Sequence, residues 1–238
     1  MREYREIPPP HSLREAVECC WISSHADAHR VLPDGCADIL FRFREGQPEL
    51  LTVGAMTRFE DVEEHPEESM VGIRFRPSMW TRVMDVRADE VTDQMLPLED
   101  LWGAAARNLR ERMANGRSGE ERAAYLIQAV RAVEKRTAFQ RAIGCLEMRR
   151  GMVSLDHLAR EAGLSVRQFR RVCIRETGLS PKLLARILRF RHAEARASAE
   201  SGGHAGLAAD CGFADQAHMI AEFRRFAGRT PTYRDIEL

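Results

Sequence analysis

The sequence predicts an α+β protein: a small β-rich N-terminal domain with a helical connector, then an all-α domain of two helix-turn-helix subdomains joined by a long helix. Three observations predict it. Apolar and polar residues alternate between Leu32 and Phe75, as in half-buried strands. From Leu98 the apolar spacing turns helical. In the last part of the chain a segment repeats at an offset of 49 to 50 residues, the mark of a duplicated supersecondary unit. Boundaries are expected at 1–103 for the β-rich domain, 104–137 for the connector and its dimerisation-competent helices, and 138–238 for the all-α domain.

In the β-rich part, Ile39, Phe41 and Phe43 alternate with Leu40, Arg42 and Arg44, and Val71, Ile73 and Phe75 alternate with Gly72, Arg74 and Arg76. Turn chemistry separates the strands at Pro33-Asp34-Gly35 and Glu45-Gly46-Gln47-Pro48, and the acidic stretch Glu63-Glu64-His65-Pro66-Glu67-Glu68 reads as a loop. Leu98, Leu101 and Trp102 lead into a helix over 104–114, with a break from Asn115-Gly116 to Gly119. A second helix is expected from about Glu120 to Arg136. Its stripe of Ala123, Leu126, Ile127, Val130 and Val133 suits packing on the strands or pairing with a second copy, and the sequence leaves both open.

The repeat places Leu158-Ala159-Arg160-Glu161-Ala162-Gly163 over Leu207-Ala208-Ala209-Asp210-Cys211-Gly212, then Ser165 over Asp215, Phe169 over Met219, Gly178 over Gly228 and Pro181 over Pro231. Each copy reads as helix, tight turn, helix. Ser154 caps a short helix ending at Gly163; Ser165 with Gln168 forms a capping box that opens a second helix, stopped at Gly178. Phe169, Val172 and Cys173 take its inner face, while Arg167, Arg170 and Arg171 share the opposite one. In the second copy Asp215 caps a helix with Met219, Phe223 and Phe226 inward, and Gln216, Ala217, Ile220 and Ala221 outward. Between the copies, Ser180-Pro181 opens a helix from about Lys182 to Ser201, stopped by Gly202-Gly203. Its length of about 30 Å approaches the ~34 Å between successive major-groove faces of B-DNA.

Charge adds a direction. The 36 Lys+Arg and 36 Asp+Glu cancel, which excludes a uniformly basic coat. Before Gln140 stand 19 basic and 25 acidic residues, and from Gln140 on 17 and 11, so the halves carry −6 and +6. A basic module joined to an acidic one suits nucleic-acid binding attached to regulation or oligomerisation. With 44% hydrophobic and 30% charged residues the chain is not a disordered tail protein. No run approaches the ~18 to 20 apolar residues of a membrane span, and Met1 to Pro10 lacks the apolar core of a signal peptide. Six cysteines without a CxxC pair suit reduced thiols, and the expected location is cytoplasmic.

The stretch from Gly212-Phe213-Ala214-Asp215-Gln216-Ala217-His218-Met219 to Phe223-Arg224-Arg225-Phe226-Ala227-Gly228-Arg229-Thr230-Pro231 resembles the signature of the AraC/XylS family of bacterial transcription regulators. The match runs from about Phe139 to Arg234. The resemblance implies two helix-turn-helix subdomains on promoter DNA, with RNA polymerase, a small-molecule effector and a homodimer as further partners, no cofactor and no enzymatic activity. It places Arg167, Arg170 and Arg171 of the first recognition helix, and Gln216, Ala217, His218 and Ala221 of the second, toward the bases. Ala221 stands where the family commonly has a basic residue. Arg224, Arg225 and Arg229, with Arg186 and Arg189 on the connecting helix, are expected to meet phosphates. Less specifically, Leu32-Pro33-Asp34-Gly35 with Asp38, then 71–77 and 98–103, resemble a short N-terminal domain found in some members.

Two rival chemistries start from the left half. Cys19, Cys20, His25, His29 and Cys36 are the ligand types of a metal- or thiol-responsive sensor, yet the spacing matches no closed-site pattern, and neighbours in a strand point to opposite faces. His25, His29, Glu63 and His65 are the candidates for an N-terminal enzyme domain tethered to DNA. No Gly-rich phosphate loop or nucleophile elbow accompanies them.

Overall fold

The computed structural model describes residues 3–26, 28–63, 65–131, 133, 135–199 and 204–231. Eight strands come first: β1 (Glu3–Ile7), β2 (Val17–Ala26), β3 (His29–Val31), β4 (Ala37–Arg44), β5 (Gln47–Val53), β6 (Glu60–Val62), β7 (His65–Phe75) and, after the short helix α1 (Trp80–Met84), β8 (Met95–Pro97). Six form an antiparallel sheet in the order β1-β2-β7-β4-β5-β8, and β3 pairs with β6 as a separate ribbon. The register sets Ile39 opposite Ile73 and Phe41 opposite Val71, so their side chains enter one core with Cys20 and Phe75. Cys19, Trp21 and Leu40 form a smaller cluster of their own. Cys19 and Cys20 therefore do point to opposite faces of one strand.

Strand β2 escapes a period-two reading because apolar residues serve both faces: Cys19 and Trp21 on one, Cys20 and Ile22 on the other. The acidic stretch expected as a loop is mostly strand, with β7 starting at His65. Neutralisation explains it. The buried Glu68 carboxylate lies 2.8 Å from Arg44 and 3.9 Å from Arg42, so a charge that reads as a loop signal is a counter-ion inside the sheet.

Helix α2 (Glu99–Trp102) leads into α3 (Ala104–Ala114) and α4 (Gly119–Ala129), which lie across β5, β2 and β7. Ser118 caps α4, its hydroxyl accepting from the Glu121 amide. Ala106, Leu109 and Met113 of α3 and Ala123 and Leu126 of α4 are buried in the sheet's core. Most of the apolar stripe is thus spent on the strands, with Ile127 half-buried at its margin. Each fully buried Leu there contributes about 1.5 to 3 kcal/mol. The helix also stops earlier than the expected Arg136: Val130 is extended, at φ −86° and ψ 128°, and Val130 and Val133 reach the same core without a further helical turn.

The all-α domain begins with α5 (Ala138–Met148), opened by a capping box between Thr137 and Gln140. Then follow α6 (Leu155–Glu161), α7 (Val166–Thr177), α8 (Pro181–Ala199), α9 (His204–Asp210) and α10 (Gln216–Ala227). Helices α7 and α10 have the same length, offset by 50 residues, and each stops at a left-handed glycine, Gly178 at φ +74° and Gly228 at φ +63°. Phe190 of α8 packs edge-on against Phe223, ring centroids 5.1 Å apart, and tilts against Phe226 at 5.3 Å. The expected stop of α8 at Gly202-Gly203 lies outside the described residues.

The β-rich domain docks on both units. The Gln140 amide donates to the Ser78 carbonyl at 3.3 Å, the Thr92 hydroxyl donates to the Gly178 carbonyl at 3.1 Å, and the Thr81 hydroxyl donates to Glu176. At the other unit, Arg30 donates to the Ala227 carbonyl at 2.6 Å. All these contacts fall at or near helix ends and leave the outward faces of α7 and α10 open.

Candidate nucleic-acid interface

Helix α7 is positioned by its caps. Ser165 accepts from the Gln168 amide while the Gln168 side chain accepts from the Ser165 amide, and Phe169 and Cys173 are fully buried beneath it. That rotation leaves Arg167, Arg170 and Arg171 exposed on one face, with no ion pair to any described carboxylate. Ile174, 41% exposed, continues the same face, and Arg175 pairs with Glu176. An exposed aliphatic among unpaired guanidiniums in the second helix of a helix-turn-helix suits the major groove, whose edges offer guanine acceptors and thymine methyls.

Helix α10 repeats the scaffold with different outward chemistry. Asp215 accepts from the His218 amide at 2.7 Å, and Met219, Phe223 and Phe226 are fully buried. Gln216, Ala217 and Ala221 are exposed, Ile220 is half-buried, and Arg224 and Arg225 are exposed in the last turn.

Several of the expected contact residues also have partners within the fold. Arg186 holds the buried Glu222 bidentately, at 2.7 and 2.8 Å, which ties α8 to α10. Arg189 is half-buried, donates to the Gly212 carbonyl at 3.3 Å and keeps its Nε out of solvent without a partner. His218 occupies the third helical position, where side chains fold back over the cap. Its ring stands edge-on to Phe213 and its Nδ1 lies 3.4 Å from the Ala214 amide, so it serves the turn. Arg229 pairs with Glu194 at 3.5 Å. Glu222 was missed, although an acid on an inward face beside Met219 and Phe223 demands a buried cation.

Against sequence families, residues 158–234 match a helix-turn-helix domain and residues 5–97 match a domain of unknown function (DUF6597). Residues 158–234 are a helix-turn-helix domain of the AraC type. An AraC-type domain behind a β-rich one makes the chain a DNA-binding transcription regulator. No curated protein matches the sequence. Among solved structures, the DNA-binding domain of AdpA, a global transcriptional factor in complex with a target DNA, matches at 22% identity over 40% of this chain and 87% of that one, with a TM-score of 0.38. ToxT from Vibrio cholerae matches at 10% identity over 97% and 96%, with a TM-score of 0.45. The unsaturated fatty acid bound form of ToxT matches at 8% identity over 97% and 92%, with a TM-score of 0.43. No described helix is long and apolar enough to cross a membrane.

The all-α domain also borders an open pocket of about 640 Å³ whose floor is the sheet face carrying Trp21 and Leu40 and whose walls include Arg30 and Asp61 of the ribbon and Arg191 and Glu194 of α8. Several of its charges are paired with one another, among them Arg30 with Asp61 and Arg44 with Glu68. Arg74 sits 3.3 Å from Asp38, which also accepts from the Trp21 indole at 3.1 Å; burial pushes the Asp38 carboxyl up, and the carboxylates hold Arg74 firmly charged. His29 and His65 both line this pocket, while the side chain of His25 lies outside the described residues. Among the described residues no cluster of three ligands is able to hold a metal ion. Burial pushes the Cys19 thiol up to about 12 and the Cys20 thiol up to about 11, so neither presents a thiolate at neutral pH.

Proposed function

We propose that this regulator binds two successive major-groove faces of promoter DNA with α7 and α10, and that α7 makes the guanine-directed contacts. The observation that supports this reading is the trio Arg167, Arg170 and Arg171, exposed and unpaired on a helix whose orientation two caps and a buried Phe169 dictate. Arginine is the side chain whose fork matches the two acceptors of guanine. Arg224 and Arg225, with Arg229 at the end of α10, supply phosphate contacts. Helix α8, 19 residues or about 29 Å long, separates the two reading helices.

The regulatory role extends to the β-rich domain, over 1–103 with its covering helices in 104–137: an effector in the sheet pocket reaches α8 through Arg191 and Glu194 and α10 through Arg30, and so adjusts how the 138–238 domain engages promoter and RNA polymerase. Arg171→Ala is expected to cost about 1 to 3 kcal/mol on the selected site and far less on random duplex. Titration of both duplexes at fixed salt tests it, because an equal loss on both leaves Arg171 as a phosphate contact only.

A further inference from the structure

The two recognition helices align position for position at an offset of 50, so Arg167, Arg170 and Arg171 of α7 correspond to Ala217, Ile220 and Ala221 of α10. Charge is replaced by small or branched apolar groups at every one of the three places. Solvation alone does not ask for that: an unused exposed helix face is ordinarily polar. Basic residues resume one turn later, at Arg224 and Arg225, both exposed. An apolar patch followed by cations on a helix-turn-helix recognition helix matches one kind of surface, a major-groove edge flanked by phosphates. The one apolar group on that edge is the C5-methyl of thymine.

Resting on the proposed DNA-reading role of the tandem helices, we propose that α10 is a thymine reader: Ala217, Ile220 and Ala221 pack against the methyl groups of a T-rich half-site, and Gln216 pairs with an adenine edge beside them. The operator is then composite, with one half-site read through guanine acceptors by arginine and the other, about one helical turn away, through methyl groups. Alanine at two of the three positions is part of the device, because a short side chain lets the helix backbone approach the groove floor. Ile220, anchored by its half-buried position, supplies the largest contact.

The test starts with selection of bound sequences from a random duplex pool by the full chain. In the selected site, thymines of the second half-site are replaced one at a time by deoxyuridine, which removes only the methyl. Each contacted methyl is expected to lower affinity about fourfold, the worth of one buried methyl-sized group. Ala221→Arg, at an exposed position that leaves the fold intact, is expected to shift selection at the facing base pair from thymine to guanine. If uracil substitution is silent throughout the second half-site and Ala221→Arg leaves selection unchanged, while Arg171→Ala still separates selected from random DNA, thymine reading is overturned and the regulator reading stands. If no sequence is selected from the pool, both fall together.

Discussion

The first helix-turn-helix unit, α6 and α7, is pinned at the end of its recognition helix by Thr92 on the Gly178 carbonyl and Thr81 on Glu176, while the second, α9 and α10, meets the β-rich domain through Arg30 on the Ala227 carbonyl and leans on α8 through Arg186 and Glu222. Their buried positions carry the same kinds of residue, Phe169 and Cys173 in one and Met219 and Phe223 in the other, and both helices run between a side-chain cap and a left-handed glycine. Their outward faces differ where α7 carries Arg167, Arg170 and Arg171, and coincide only further on, at Arg175 and Arg225. Backbone geometry in this fold is decided by caps and inward residues, so the outward positions are free to carry arginine or alanine without a cost in folding.

The largest expected effect bears on how the second unit is held. Glu222→Ala strands the half-buried Arg186 guanidinium and should cost up to about 3 kcal/mol in denaturant unfolding, because one half of a bidentate pair is left uncompensated. Replacing both partners with apolar residues, Glu222→Leu with Arg186→Met, should recover most of it; no recovery would show that the pair does more than satisfy itself.

The glycines sharpen the comparison at the first unit. Gly178→Ala adds a Cβ 2.2 Å from the Thr92 hydroxyl in a left-handed backbone, whereas Gly163→Ala, at φ +68°, meets nothing within 4 Å. Thermal unfolding should show a loss of about 1 kcal/mol for Gly163→Ala, the left-handed cost alone, and about 2 to 3 kcal/mol for Gly178→Ala. Equal losses would mean that the β-rich domain does not press on α7.

A smaller effect reports on the docking of α5. Burial of Glu147 in a depression it shares with Glu18, Arg76 and Arg136 pushes its carboxyl up to about 7, with Arg76 pulling the other way. A carboxyl whose folded value is raised costs stability as it ionises. The loss therefore begins above its unfolded value of about 4.3 and is complete above about 7. Between pH 5 and 8 the parent chain should lose about 2 kcal/mol relative to Glu147→Gln, and parallel pH profiles would place Glu147 in solvent.

Local chemistry made the all-α part legible. The Ser165–Gln168 capping box, the Asp215 cap and Gly178 and Gly228 announce where helices start and stop from contacts spanning three or four residues, and the structure realises each. The strands were legible only where one face is buried. Ile39 to Phe43 alternate visibly, but Val17–Ala26 does not, because both faces of β2 are covered. Within the candidate interface, the three arginines of α7 follow from helical spacing alone.

What the sequence by itself determined is the tandem repeat, its caps and the outward arginine face, all products of period and short-range hydrogen bonding. The tertiary structure decided which charges are spent inside: Arg186 on Glu222, Glu68 on Arg44, and Arg74 on Asp38. Those pairs join residues 24 to 36 positions apart. A lone charge in a sequence looks solvated whether it is or not, and only the fold brings its partner within 3 to 4 Å and removes the water between them.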